Sequence, residues 1–448
     1  MNLLESYKNR LAISESVHQK SHNGAKMSAQ KKLMIASVLN NTSKFMNEAF
    51  NSSAATQRSA LGDYKRFCLN ISTVALPNLI LPELMLTQPM SSIAGYVTYL
   101  RYTSGVNKGG VEDRTFNSVY RMGDMDTARM NYTSDRVSEV LGDDLKLMWT
   151  PVAEVVKATD GTTSLDVSDW KVAEDGTVTG TGVKAGVKVA YIYDNVIIPQ
   201  NNLPTLKAEM DVIELHAHAR RIAVYYSQIA AFQAKNDYGT DIGEQLAAQA
   251  QGELAYEIDS EGVMMLYKGA EHDTTIDFVS YDKSTDRSYI SRSQYYEFFN
   301  EIIARAKQVI YKRTQKFAPN YMVVGTDVIS ILPYLKGWTA APASTINGPY
   351  FAGTVDGIKV FVSPAIESNE YFFGVNGSDL QTSAGVYAPY MAVVPTQLLG
   401  FADGTMSQGF STMYDMKLLS TYNKNGDVRE DAKDGEFSWL LVKGILTV

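Results

Sequence analysis

The sequence predicts an α+β protein of two or three domains, and three stretches carry that prediction. Between Ala60 and Gly105 the residues Leu61, Tyr64, Phe67, Cys68, Ile71 and Val74 recur at helical spacing. Pro77, Pro82 and Pro89 then break the pattern, and from Gly95 the chain alternates as a half-buried strand does. A second stretch, Ser291 to Ile310, has a Ser/Gln capping box and the cleanest helical stripe in the chain. In the third, Phe351 to Val362, two alternating runs flank Asp356-Gly357, the signature of a hairpin. With 448 residues, 45% of them apolar, the chain can bury a full core.

Taken in order, Met27 to Phe50 reads as a helix capped by Ser28, with a loose stripe of Leu33, Ala36, Leu39, Phe45 and Met46. Its flanks, Ser16 to Gly24 and Asn51 to Ser59, are polar. Residues 1–60 carry +5 and the remainder of the chain −13, out of a net charge of −8. A basic arm on an acidic body suits a second copy of the chain or an acidic scaffold. This arm is expected to order only when packed on a partner surface, the inner face of its own or of a neighbouring subunit, so that removing residues 2–50 leaves a soluble, folded monomer that assembles poorly.

Residues 105–142 are polar and without a core signal, so they must lie on something else. Asp143 to Asn195 shows short alternating runs, Leu145 to Trp149 and Val187 to Tyr193, with Asp160-Gly161 and Asp175-Gly176 as turn pairs. This is read as a small β-rich insertion with its own fold.

Glu209 to Ser227 alternates for long enough to make a strand or a bent pair of strands. Asp241 to Tyr267 is a long helix with Leu254 and Ile258 on its buried stripe, and Gly243, Gly252 and Gly262 mean that packing must hold it. Lys312, Arg313 and Lys316 suit the C-terminus of the Ser291 helix. Asn320 to Gly325 is a buried strand, after which Thr326 is expected to cap a short helix. Further strands are expected at Tyr371 to Val375, Ala384 to Tyr390, Gly409 to Tyr414 and near Val442 to Ile445.

No catalytic, cofactor-binding or metal-binding residues are assigned. His216 and His218, two apart on a strand, are too few for a zinc site and read as part of a solvated strand. Asp124 and Asp126 lie in a polar loop and are read as solvated. Thr405 to Gly409 misses the nucleophile-elbow pattern at its first glycine, and no phosphate-binding glycine motif occurs. Cys68 is the only cysteine, which excludes an intrachain disulfide and a thiolate metal cluster. The acidic balance argues against a dedicated nucleic-acid binder. The N-terminus lacks the apolar core of a signal peptide, and Gly385 to Ala402 makes a poor membrane span because of Pro389 and Pro395.

Leu76-Pro77-Asn78-Leu79-Ile80, Gln88-Pro89-Met90-Ser91-Ser92, Gly95-Tyr96-Val97 and Leu100-Arg101 closely resemble the start of the mature domain in major capsid proteins of T-even-like tailed bacteriophages. The resemblance runs in order over residues 60–448 and is weakest over 105–200. It implies the Hong Kong 97-type capsid fold: an N-terminal arm (1–60), a peripheral domain with a long spine helix (61–104, 196–270 and 396–448), an extended loop (105–142), an insertion (143–195) and an axial domain (271–395). It implies a structural, non-catalytic shell protein forming hexamers and pentamers of an icosahedral head.

The implied partners are further copies of the chain, with portal, scaffold, vertex and decoration proteins. Packaged double-stranded DNA would touch the inner face non-specifically, and no membrane is involved. The implied location is the virion, after assembly in the host cytoplasm. In the family a virus-encoded protease often removes the arm, cleaving after Glu; Leu3-Leu4-Glu5 and Ile13-Ser14-Glu15 fit that pattern, but a retained arm is expected here. An encapsulin-like compartment shell and a soluble enzyme are the rival readings, separable by microscopy and by nuclease-protected DNA.

Overall fold

The computed structural model describes residues 3–21, 26–51, 73, 76–104, 134–161, 163–194, 206–238, 242–281, 290–314, 316–341, 348–396, 399–419, 421–422, 428–429 and 437–447. The helix expected over Leu61 to Val74, Cys68, the aspartates Asp124 and Asp126 and most of the expected extended loop lie outside them. The chain divides into two compact units, residues 1–97 with 212–448, and residues 98–211. Paired strands Ala94–Ser104 and Leu206–His216 carry the chain from one to the other and back.

Among the described residues the larger unit has two main sheets, a small three-stranded one (Thr421–Tyr422, Val428–Arg429 and Phe437–Ser438) and four principal helices: α1 (Lys8–Ser21), α2 (Ala29–Asn51), α3 (Ile242–Lys268) and α4 (Phe299–Thr314). The first sheet runs in the order His218–Ser227, Thr405–Leu418, Gly385–Pro395, Leu86–Thr87. Helix α3 packs on one face of it, where Ala250 and Leu254 meet Val393 and Phe410 with Ile222 and Val224 alongside. Eight strands make the second sheet, with Tyr321–Val324 buried between Ile358–Val362 and Glu370–Gly374. Helix α4 turns Phe299, Ile302, Ile303, Ala306 and Ile310 inward, as its sequence stripe predicts.

Local signals translate directly. Ser28 caps α2 by accepting from the Lys31 amide at 3.2 Å, and the Ser291/Gln294 capping box forms. Asp356 and Gly357 take φ values of 48° and 80°, the left-handed pair that a tight hairpin demands. Residues 209–227 are a bent pair, with Ala217 between the two strands. Thr326 caps nothing: the turn that follows, Val328–Ser330, has Asp327 at its N-cap without a side-chain cap bond.

Long-range pairing moves two strands across the expected domain boundaries. Gly385–Pro395, placed by sequence in the axial domain, pairs antiparallel with Thr405–Leu418 in the sheet beneath α3. Leu441–Thr447, placed in the peripheral domain, pairs with Glu370–Gly374 in the second sheet. Alternation in a sequence states that a strand is buried, and it does not state against which partner.

Of the two surfaces expected to order the N-terminal helices, the structure gives that of the chain itself. Met34, Ile35, Ala36, Val38 and Leu39 of α2 are fully buried within the chain's own larger unit. Asn41 donates to the carbonyls of Met90 at 2.6 Å and Tyr390 at 3.0 Å, and Thr42 accepts from the Ala392 amide at 3.2 Å. In α1, buried Ser14 donates to the Thr73 carbonyl at 2.8 Å.

The smaller unit has a separate core in which Trp149, Val187, Val189, Tyr191 and Tyr193 pack with Val137 and Leu147. Its four-stranded sheet runs Arg136–Val140, Lys188–Tyr193, Val152–Asp160, Thr163–Leu165. Residues 136–142, expected in the extended loop, therefore belong to the insertion. The expected strand Leu145 to Trp149 is instead a turn with one isolated bridge, Lys146 to Thr177, because Leu145 adopts a φ of 53°. Gly161 and Gly176 take positive φ, as their Asp-Gly pairs predict.

Two outcomes follow from this packing. Val189→Asp places a charge in the insertion core and should unfold that lobe alone, seen as accelerated amide exchange over 136–193 while Tyr321–Val324 stay protected. Removing residues 2–51 uncovers Met391 to Val394 and should give insoluble protein, read as loss of the soluble fraction on expression.

Candidate functional site

The chemistry-bearing side chains of the larger unit converge on a buried ionic junction. Its central element is Asp259 on α3, buried at 4% exposure. Its carboxylate accepts from the Ile80 amide through both oxygens at 3.2 Å, and from the Leu81 amide at 3.2 Å. These amides open the one-turn helix Leu81–Leu84, whose N-cap residue Ile80 supplies no side-chain cap. Asp259 thus caps that turn from another element. Such an approach requires Gly262 one turn along α3, since a Cβ there would collide with the Leu81 side chain.

Lys31, near the start of α2, is buried to 2% exposure. It donates to the Leu79 carbonyl at 3.2 Å and contacts His18 Nδ1 of α1 at 3.4 Å. His18 Nε2 lies 3.9 Å from Glu83 Oε1. Glu83 also lies 3.9 Å from Lys31 Nζ and accepts from Lys359 of the second sheet at 2.8 Å.

Burial dominates the electrostatics. It pushes the Asp259 carboxyl up to about 7, against the two amides and Lys31, which pull it down. Burial likewise lowers the Lys31 pKa, opposed by Glu83 and then Asp259. Each ion is therefore disfavoured by its site and held by the other.

Two further ties brace the same unit. Arg220 contacts both Glu257 and Glu261 of α3, and Tyr414 donates to Glu261 at 2.6 Å. Arg313, read from sequence as a cation suited to the helix C-terminus, is 2% exposed; it pairs with Glu271 at 2.9 Å and donates to the Leu441 carbonyl at 3.2 Å. A polar cleft of about 640 Å³ opens beside the junction, lined by His18, Lys31, Glu83 and Lys359 with Asn320 and Thr354.

His216 and His218 stand at the facing ends of two successive strands, both exposed, with ring centroids 5.2 Å apart. Among the described residues no group of three or more His, Cys, Asp or Glu could hold a metal ion. No described helix is long and apolar enough to cross a membrane.

Sequence reasoning missed the junction, although its signal was present. Asp259 stands three and seven residues from Gly262 and Leu266 on a buried helix face, and Lys31 heads the stripe Met34, Ile35, Val38. A charge inside an apolar stripe is the flag.

The arrangement joins elements of the larger unit. The model of the family described as major capsid protein Gp23 matches residues 62–438. The chain belongs to that family. It is a structural major capsid protein and not an enzyme, a component of a phage capsid built from repeated subunits; the encapsulin-like reading is not favoured.

The resemblance noted in the sequence is that of this family. Similar solved structures include a chain of Mycobacterium phage Bobi, at 9% identity and a TM-score of 0.39, covering 83% of this chain and 91% of that one. One of Microbacterium phage Oxtober96 has 11% identity and a TM-score of 0.37 with the same coverages. The capsid of an empty GTA particle gives 9% identity, a TM-score of 0.33 and coverages of 82% and 89%. No curated protein matches the sequence.

Two variants of the capsid protein test the junction. Lys31→Met leaves Asp259 and Glu83 without their buried cation and should cost about 3–5 kcal/mol in urea unfolding of the unassembled protein. Asp259 supplies a pH dependence of known sign. Its folded pKa of about 7 lies above the ordinary 3.8, so between those values the folded state holds a proton that the unfolded state has released. Its contribution to stability therefore falls as pH rises from about 4 to about 7. The wild-type unfolding free energy in urea, measured against Asp259→Asn over that range, should fall with rising pH by at most about 1.4 kcal/mol per pH unit.

Proposed function

We propose that copies of this chain close into hexamers and pentamers, and that these form the icosahedral head of a tailed bacteriophage around double-stranded DNA. One observation carries the reading: the family match spans residues 62–438, so it takes in both compact units. The chain is synthesised in the host cytoplasm and acts in the virion. Portal, scaffold, vertex and decoration proteins are its further partners, and DNA meets the inner face through non-specific contacts only, in keeping with a net charge of −8.

Within this reading the peripheral domain comprises the sheet beneath α3, the axial domain comprises the second sheet, and the insertion is an outer lobe. The buried junction serves geometry: it locks the arm, the proline turn, the spine helix and the second sheet together, so that many identical copies present the same contact surfaces.

Negative-stain microscopy of the purified full-length protein under assembly conditions should show closed shells of uniform diameter. Discrete small oligomers under every assembly condition would refute the reading. In particles recovered from infected cells, DNA protected from nuclease is expected, and protein cargo in its place would point to a compartment shell.

A further inference from the structure

The sheet beneath α3 has a second face. Ile222, Val224 and Phe410 point towards α3. Arg221, Ala223 and Tyr225 alternate with them on the first strand and are exposed, opposite Ser411, Gly409 and Ser407. Helix α2 covers part of this face. Beside its C-terminal half lies a hollow of about 560 Å³, lined by Phe45, Met46, Ala223, Met391, Val394 and Met413 and bearing Arg221. Its lining is mostly apolar, and Arg221 is the one charged residue in it, beside the hydroxyl residues Thr396 and Ser411.

Further along the strands the surface becomes a protrusion. Tyr225 and Leu399 both stand opposite Ser407, so they flank it on one face. The Gln228 amide donates to the Gly404 carbonyl at 3.0 Å, which ties the helix Gln228–Tyr238 to the turn after Phe401. Ile229 and Phe232 share one side of that helix. Exposures here are 66% for Tyr225, 70% for Ile229, 73% for Phe232, 57% for Leu399 and 51% for Phe401. A protein that stayed monomeric would rarely leave so many large apolar side chains in water. At the edge stands Asp403, whose carboxylate accepts from the Thr405 amide at 3.0 Å and hydroxyl at 2.6 Å, bonds that hold its pKa below the usual carboxylate range.

We propose that the occupant of the hollow is a second copy of this chain: Ile229 and Phe232 of one copy enter the hollow of the next, and Arg221 there meets Asp403 of the entering copy. Shape and charge both fit. The hollow has room for two side chains of that size, and the cation lies on the concave surface while the anion lies beside the convex one. Because hollow and protrusion are different surfaces of one molecule, the contact is head-to-tail, the kind that closes rings. This rests on the shell reading and names the surfaces that carry one of its contacts.

The test uses the full-length chain with Cys68→Ser, which removes the only cysteine. Phe232→Cys and Ala223→Cys are then introduced singly and together. In assembled particles under mild oxidation the double variant should form ladders of disulfide-linked multimers, and neither single variant should. Independently, Phe232→Asp should lower particle yield at least tenfold while leaving the Tm of the unassembled chain unchanged, since the side chain is exposed. Shells that form normally with Phe232→Asp, or a double variant in shells that gives no more cross-linking than the single variants, would overturn the contact and leave the shell reading intact. Failure of the unsubstituted chain to form shells would overturn both.

Discussion

The larger unit depends on a carboxylate placed where helix geometry leaves amides unpaired. Pro77 and Pro82 prevent the stretch after residue 76 from continuing as a long helix, so the turn at Leu81 begins with amides that have no carbonyl behind them. Asp259 supplies the acceptor from α3. Bringing that carboxylate out of water is costly, and Lys31 offsets the cost only if α2 lies against the same turn. One desolvated ion therefore dictates the position of three elements at once.

Such a junction is a poor way to gain stability, because a well-packed apolar cluster of equal volume would do as well or better. Its value lies in discrimination. A helix that slid by one turn along an apolar surface would lose little, whereas a slip that parted Lys31 from Glu83 and Asp259 would leave buried charges unmatched. For a protein whose copies must present identical surfaces to one another, intolerance of near-miss packings is the useful property. Arg313, buried between Glu271 and the Leu441 carbonyl, does the same for α4 and the second sheet.

The rigid interior contrasts with the apolar surfaces left outside it. Phe232, Ile229 and the hollow beside Phe45 gain nothing from the fold of a single chain. The insertion makes the opposite choice, gathering Trp149, Tyr191 and Tyr193 into a core of its own. Within it Tyr191 donates to Glu139, which also accepts from the Met148 amide, so the lobe has a half-buried carboxylate held by hydrogen bonds.

Much of the fold was legible because its signals are local. The Ser291 capping box, the Asp356-Gly357 hairpin and the stripe from Phe299 to Ile310 each depend on residues within a few positions of one another, and each formed as read. The family, too, was legible, from the motifs between Leu76 and Arg101. What sequence could not state was partnership over distance. Gly385–Pro395 and Leu441–Thr447 were recognised as strands without their partners, since period-two alternation records burial without recording the neighbour. The arm's stripe announced a surface to be covered, and only the tertiary structure decided that the cover was its own sheet. Lys31 and Asp259 were visible as charges in apolar stripes, 228 positions apart, and an ion in a stripe shows that a counter-ion must exist without showing where. Local conformational preference is written in the sequence residue by residue; the pairing of buried charges is settled only when the folded chain excludes water from both.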